Sequence, residues 1–246
     1  MKFVAKTSQG YNMKILFELL KNITQETCLY ISADGIHIEC PNAEQRIFLD
    51  VHLDSTGFDI YQMNTDEPFV VGINTEKLHK AVKNIKKREP IVLKIPHNDN
   101  KLTIEMGLVT STLSTYEYFQ TPLNAPTGYG RPVTIQSSDY YRSIKTVCSN
   151  STPRITLSMR DYSVTIEQTV EDIQYSRFDL GEETDKTPIV YCKEFDLEYF
   201  KRVIRFSSAS SKMHIYRGDD TRSLRMTARL GILGDINIYI KSCDQE

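Results

Sequence analysis

The sequence predicts an α+β protein of two similar domains, each built from two helix-plus-strands units with the helices on one face of antiparallel sheets. Three observations carry that prediction. Four segments show apolar residues at helical spacing. Each is followed by two alternating runs joined by a polar turn. A proline- and glycine-rich stretch then divides the chain near its middle.

The first helix is expected over 11–23, where Met13, Leu16, Phe17 and Leu20 stand at i, i+3, i+4 and i+7. The second, over 75–88, repeats the spacing with Leu78, Ala81, Val82 and Ile85. The third, over 138–150, carries Tyr141, Ile144, Val147 and Cys148; the fourth, over 196–206, carries Phe200, Val203 and Ile204. Such spacing stacks apolar side chains on one helix face. Asn74, Ser138 (or Ser137) and Asp196 are the expected N-caps, with Glu76, Asp139 and Glu198 in the first turns to complement the helix dipole.

Each helix leads into a hairpin. The first pairs 29–32 with 36–39 around Ala33-Asp34-Gly35, and the second pairs 91–95 with 102–106 around His97-Asn98-Asp99-Asn100. The third pairs 155–159 with 163–167 around Arg160-Asp161-Tyr162, and the fourth pairs 213–216 with 223–227 around Gly218-Asp219-Asp220. The stretch 119–132 holds Pro122, Pro126, Gly128, Gly130 and Pro132 and no periodicity, which is linker chemistry. The expected organisation is therefore a domain over 1–118, a linker over 119–132 and a domain over 133–246.

With 40% hydrophobic and 25% charged residues, each half can bury a core without staples. Cys28, Cys40, Cys148, Cys192 and Cys243 are odd in number and scattered, with no metal-ligand spacing, which fits reduced thiols in a cytosolic or nuclear setting and no metal or cofactor. No apolar run is long enough to cross a bilayer, and none reads as a signal peptide.

The net charge of −2 hides a separation. Thirteen lysines and arginines and five acids fall within the four expected helices, a net +8, which leaves −10 for the rest. Lys14 and Lys21 avoid the apolar stripe of the first helix. Lys80, Lys83 and Lys87 oppose Leu78 and Val82. Arg142 with Lys145, and Arg202 with Arg205, pair at i, i+3. A single lysine stripe is usually a solvated face. Four helices with the same asymmetry instead form a surface suited to a polyanion such as duplex DNA. No aromatic is interleaved as a base-stacking platform and no zinc finger or helix-turn-helix is present, so the contact is expected with phosphates, without sequence readout.

Particular segments then resemble the proliferating cell nuclear antigen family. They are Ile31-Ser32-Ala33-Asp34-Gly35-Ile36, Ser55-Thr56-Gly57-Phe58-Asp59-Ile60-Tyr61, Val71-Gly72-Ile73-Asn74, and Leu230-Gly231-Ile232-Leu233-Gly234-Asp235-Ile236 with Tyr239-Ile240. The likeness runs along the whole chain and is strongest over 1–106. It implies the DNA clamp fold: a non-enzymatic processivity factor, usually a ring of three subunits, that encircles double-stranded DNA and tethers DNA polymerase and other replication and repair proteins. Carried over by position, the DNA-facing residues are Lys14, Lys21, Lys80, Lys83, Arg142, Lys145 and Arg205, with Lys201 as a basic addition and Glu198 where the family often has a base. Subunits would join through edge strands over 108–118 and 172–180, placing Thr112, Ser114 and Tyr116 against Tyr175, Arg177 and Asp179. Client peptides would dock on Cys40, Pro41, Leu123, Pro126, Tyr239 and Ile240. Three features depart from the family pattern: Pro41, a short linker, and a tail that reads Lys241-Ser242-Cys243. The resemblance also implies a clamp loader, no membrane, and a nuclear or viral replication site. A monomeric processivity factor of the same fold and a damage-checkpoint clamp subunit stay open as alternatives. No phosphate loop, nucleophile elbow or His-Glu-x-x-His motif supports an enzyme.

Overall fold

The computed structural model describes residues 1–97, 99–117, 123, 125–149, 152–170, 174–182, 188–219 and 223–245. It separates into two compact units. Unit 1 holds Met1–Ala43, Leu49–Asn124 and Arg229–Ile236; unit 2 holds Glu44–Phe48, Ala125–Ala228 and Asn237–Glu246.

Unit 1 contains β1 (Phe3–Thr7), α1 (Gly10–Ile23), β2 (Glu26–Ser32), β3 (Gly35–Pro41), most of β4 (Ile47–Asp54), β5 (Ile60–Met63), β6 (Phe69–Asn74), α2 (Thr75–Val82), β7 (Ile91–Ile95), β8 (Lys101–Met106) and β9 (Val109–Ser114). One sheet runs β5-β1-β7-β8-β9 and another β4-β3-β2-β6, and the recorded pairings are antiparallel. The strands alternate. Phe3, Ala5, Leu93, Ile104, Ile31 and Ile73 are inside, and their neighbours face outward. α1 closes this core with Met13, Ile15, Leu16, Phe17, Leu19, Leu20 and Ile23, each side chain contributing about 1.5–3 kcal/mol on full burial.

Two glycines let strands press against β4. Gly35 and Gly234 have φ of +151° and +146°, and a Cβ there would lie 2.0 Å from Leu53 O and 1.9 Å from His52 O. Gly234 begins β17 (Gly234–Ile240). Within unit 1 the start of β17 thus lies beside β4, where Asp54 N–H donates to Leu233 O at 2.8 Å.

Unit 2 contains β10 (Val133–Gln136), α3 (Ser137–Val147), β11 (Arg154–Met159), β12 (Ser163–Val170), β13 (Gln174–Gly181), β14 (Tyr191–Asp196), α4 (Leu197–Val203), β15 (Lys212–Tyr216), β16 (Leu224–Arg229) and the end of β17. Its sheets run β10-β15-β16-β17 and β13-β12-β11-β14. Phe195, Phe200, Phe206, Tyr140, Met213 and Ile215 are fully buried in its core.

The strand orders repeat. β1-β7-β8-β9 corresponds to β10-β15-β16-β17, and β6-β2-β3-β4 corresponds to β14-β11-β12-β13. The repeat is the fourfold rhythm of the sequence, and the four hairpins lie where they were expected.

Four local expectations are corrected. α2 ends at Val82 rather than at 88, because Ile85 N–H bonds Val82 O in a turn and Glu89 accepts from Lys86 N–H; four like charges at 83–88 and Pro90 oppose further helix. Ile85 stays buried in that turn, which imitated helical periodicity. α4 ends at Val203 and passes into a 3-10 turn, Ile204–Ser208, that carries Arg205. The α3 stripe is Tyr140, Ile144 and Val147, while Tyr141 is exposed; Tyr140 lies on the same face at i, i+4 and i+7, with small Ser143 beside it. Asn74 and Asp196 do cap, accepting from Lys77 N–H and Glu198 N–H, but Ser137 and Ser138 are already helical and Gln136 precedes them without a side-chain cap.

Candidate nucleic-acid interface and docking surfaces

Each unit turns apolar helix faces inward, which leaves its basic residues outside. In unit 1, Lys21, Lys80 and Lys83 are exposed and Lys14 is half-buried. Three of them act on His79: burial first, then the charges of Lys21, Lys14 and Lys83, hold its pKa below the ordinary histidine value, with Glu18 opposing. Lys80 is partly neutralised by Glu76, 2.7 Å away on the preceding turn. Lys83 lies just past the helix rather than on it. A cleft of about 340 Å³ at the start of α1 is lined by Ser8, Gln9, Tyr11, Asn12, Lys87 and Arg88.

Unit 2 has the matching feature, larger and more strongly charged. A cleft of about 730 Å³ opens at the start of α3, with Arg142, Lys145 and Arg205 in its wall, a rim of Ser207, Ser208, Ser210 and Ser211, and no acidic lining residue. Ser137 is 2% exposed, and its Oγ has no hydrogen-bond partner. The helix N-terminus adds positive potential to the three cations. Lys201 is exposed on α4, close enough to Cys148 that its charge opposes the upward push of burial on that thiol. Arg202, by contrast, pairs with Glu198 at 3.4 Å.

Two features here differ from the sequence reading. Lys87 and Arg88, counted there on a longer second helix, line the first cleft because the chain turns after α2. Each basic face also carries one tyrosine, contrary to the expectation of none: Lys14 Nζ lies 5.9 Å from the Tyr11 ring and Lys145 Nζ 5.8 Å from the Tyr141 ring. One ring per face, covered by its own lysine, is not a run of stacking platforms.

Of the expected edge strands, β9 and β13 are indeed terminal strands of their sheets. Thr112 and Ser114 are exposed on β9, whereas Leu108 lies in the preceding turn and residue 118 lies outside the described residues. Tyr116 is past the strand; its main chain exchanges hydrogen bonds with Gly72 at 2.9 and 3.1 Å. Tyr175, Arg177 and Asp179 are exposed on β13, and residues 172 and 173 lie outside the described residues. Arg177 Nε bonds Asp179 Oδ2 at 3.0 Å, which holds the Asp179 carboxyl below its usual range, and Tyr175 OH donates to Glu167.

The residues expected to receive peptides divide by burial. In unit 1, Leu123 is 40% exposed and its N–H is held by the buried Glu39 carboxylate at 2.7 Å. Pro41 is half-buried; Cys40 is buried, and burial pushes its thiol pKa up to about 12. In unit 2, Pro126 is half-buried, Ile240 lies in the core, and Tyr239 is packed by Phe48 and Tyr129, with ring centroids 5.6 and 6.1 Å away. Cys40 and Ile240 therefore shape their sheets from inside, and Leu123 is the most exposed of the six.

Among the described residues, no group of three or more His, Cys, Asp or Glu could hold a metal ion, and no helix is long and apolar enough to cross a membrane.

The chain is similar to known proteins along its length. Residues 2–118 match the family model described as "Proliferating cell nuclear antigen, N-terminal domain". The chain is 20% identical to the "DNA polymerase sliding clamp" of Nitrosopumilus maritimus (strain SCM1), with 98% of both chains covered. It is 21% identical to the "Probable DNA polymerase sliding clamp 1" of Paramecium bursaria Chlorella virus 1, over 97% of this chain and 95% of that one. Its fold is similar to a crystal structure of proliferating cellular nuclear antigen from Entamoeba histolytica, with a TM-score of 0.85, 16% identity and 98% of both chains covered.

Proposed function

We propose that the chain belongs to the proliferating cell nuclear antigen family and is a DNA sliding clamp: a non-enzymatic processivity factor that encircles duplex DNA and holds DNA polymerase to it. The observation that carries the reading is the pair of basic clefts. One opens at the start of α1 and one at the start of α3, and neither has an acidic lining residue. Their cations and hydroxyls suit phosphate oxygens and carry no pattern for reading base edges. Such a surface guides a polyanion and lets it slide.

The repeated strand order supports ring closure. In its sheet β9 holds the place that β17 holds in its own, and β13 holds the place of β4. Within unit 1 the start of β17 already lies beside β4, while among the described residues β9 and β13 have no outer neighbour. The same edge contact can therefore form between copies, β9 of one against β13 of the next. Thr112 and Ser114 would meet Tyr175, Arg177 and Asp179 there, and three copies would close the ring. Client peptides of polymerase and repair proteins would dock at the surfaces around Leu123 and Tyr239. A loader would open the ring at the replication site, in a nucleus or a viral replication centre.

The test separates topology from affinity. The protein is loaded on closed circular duplex and washed at high salt. Retention on the circle and release after a single linearising cut support a ring. Equal survival at high salt on linear and circular DNA would refute it and favour a monomer that grips DNA directly. Light scattering on the unloaded protein reads the copy number.

A further inference from the structure

We propose that Arg225, enclosed by three tyrosines on the β15-β16-β17 face of unit 2, receives a carboxylate. This surface would then take a short acidic peptide segment in which an apolar side chain stands beside an Asp or Glu. The inference rests on the docking reading of Tyr239 and specifies the chemistry of what docks.

The cage assembles across three neighbouring strands and the linker. Tyr216 on β15 and Arg225 on β16 are register partners, and Tyr239 stands on β17, the next strand. Tyr129 lies against both rings, 6.1 Å from Tyr216 and 6.1 Å from Tyr239, and its hydroxyl donates to Ser223 O at 2.8 Å. The guanidinium carbon of Arg225 is 4.9, 5.6 and 5.8 Å from the Tyr216, Tyr129 and Tyr239 rings. The cage is thus filled by the chain's own cation and leaves no place for an external one.

Its donors are what remain unsatisfied. A guanidinium has five N–H groups. Nη2 donates to Asn237 Oδ1 at 2.9 Å, while Nε is buried with no hydrogen-bond partner. Among the described residues no carboxylate pairs with Arg225. Ring faces attract the charge but accept the N–H groups poorly. The rings also hold the guanidinium plane; Nε is enclosed, but Arg225 as a whole is only half-buried, so a carboxylate would pair with the terminal nitrogens of the fork. Tyr129 and Tyr216, half-buried where Tyr239 is enclosed, form the wall beside that fork, which is the place for an apolar neighbour of the acid. Charge complementarity selects an acidic peptide over a basic one, because a second cation would meet Arg225 without screening.

The experiment pans a random displayed peptide library against the intact chain and then measures the best binder by calorimetry. Selected peptides should carry Asp or Glu next to an apolar residue. Changing that acid to its amide should weaken binding to the unmodified protein by on the order of tenfold. Arg225→Gln should cause a similar loss on its own, and the acid-to-amide change should then cost little more, which is the signature of a direct pair. The peptide-side change needs no protein variant, so the outcome is readable even if Arg225→Gln is unstable. Selected peptides without an acid, or an amide peptide within about twofold of its parent, would overturn the inference. Leu123→Ala, which lies outside the cage, distinguishes the two readings. Binding that depends on Leu123 but ignores the acid keeps docking and removes the carboxylate. Binding that needs the acid and Arg225 but not Leu123 does the reverse.

Discussion

Replacing Arg142 and Lys145 by glutamine tests the larger cleft with little structural risk. Both side chains are exposed, so the change should alter folding stability by no more than about 0.5 kcal/mol beyond the loss of the weak Lys145–Tyr141 contact. Each phosphate neutralised by a cation contributes roughly −0.9 to the slope of log K against log salt. Two lost contacts should therefore flatten that slope by roughly 1.8. Lys80→Gln is the internal comparison. Its ammonium is already shared with Glu76 at 2.7 Å, so its removal should flatten the slope by less than a full contact. The assay is fluorescence anisotropy with a short linear duplex across a salt series, with thermal melting as the control for folding. An unchanged slope in the double variant, with the fold intact, would show that DNA does not touch this cleft. A loss of affinity with no change in slope would mean that the residues act through shape rather than charge.

Successive strand amides point to opposite sides, so either Tyr175→Pro or Ser176→Pro must remove an N–H from the free edge of β13; light scattering should show a smaller assembly in one of the two, and unchanged mass in both would place the contact elsewhere. Leu123→Ala should cost a client peptide more than about 1 kcal/mol with no change in melting temperature, whereas the buried Tyr239 should lose about 3–5 kcal/mol of folding stability when truncated to alanine. His37 has its pKa raised chiefly by a hydrogen bond to Asp50 at 2.8 Å, so its contribution to stability is complete below the unfolded value near 6.5 and is lost as pH rises through the higher folded value. His37→Gln should therefore flatten the decline of melting temperature with pH just above that value; an unaltered decline would assign it to another group.

The sequence made the repeat legible because both periodicities were strong: apolar residues at i, i+3, i+4 and i+7 in the helices, and alternation in the hairpins. Helix ends were harder. Ile85 is buried in a turn at a helical interval from Val82, so its spacing could not reveal that the backbone had already left the helix. Tyr140 and Tyr141 are adjacent and each can share a stripe with Ile144; the buried face is the one that also holds Ser143, and a pattern of apolar residues alone does not mark a serine as buried. The basic residues were found because charge stays on the surface wherever the fold leads it. The cage around Arg225 was not, because Tyr129, Tyr216, Arg225 and Tyr239 come from a linker and three strands and only register brings them together. Burial likewise changes the weight of the residues expected to dock peptides: Cys40 and Ile240 were expected at that surface, yet both are buried.

In the proposed ring, the edges of β9 and β13 also set the way in which assembly can go wrong. A contact that joins β9 of one copy to β13 of the next is head-to-tail, and it closes only when the rotation between copies divides a full turn. The affinity of the edges and the angle between them are separate properties, since strand twist can change while every ladder hydrogen bond is kept. A substitution that altered the twist of β9 or β13 without weakening the pairing would leave each copy bound to its neighbours and still rob the assembly of its closure. The product would be an open helical fibre, concentrated and well ordered, with no enclosed space through which DNA could pass.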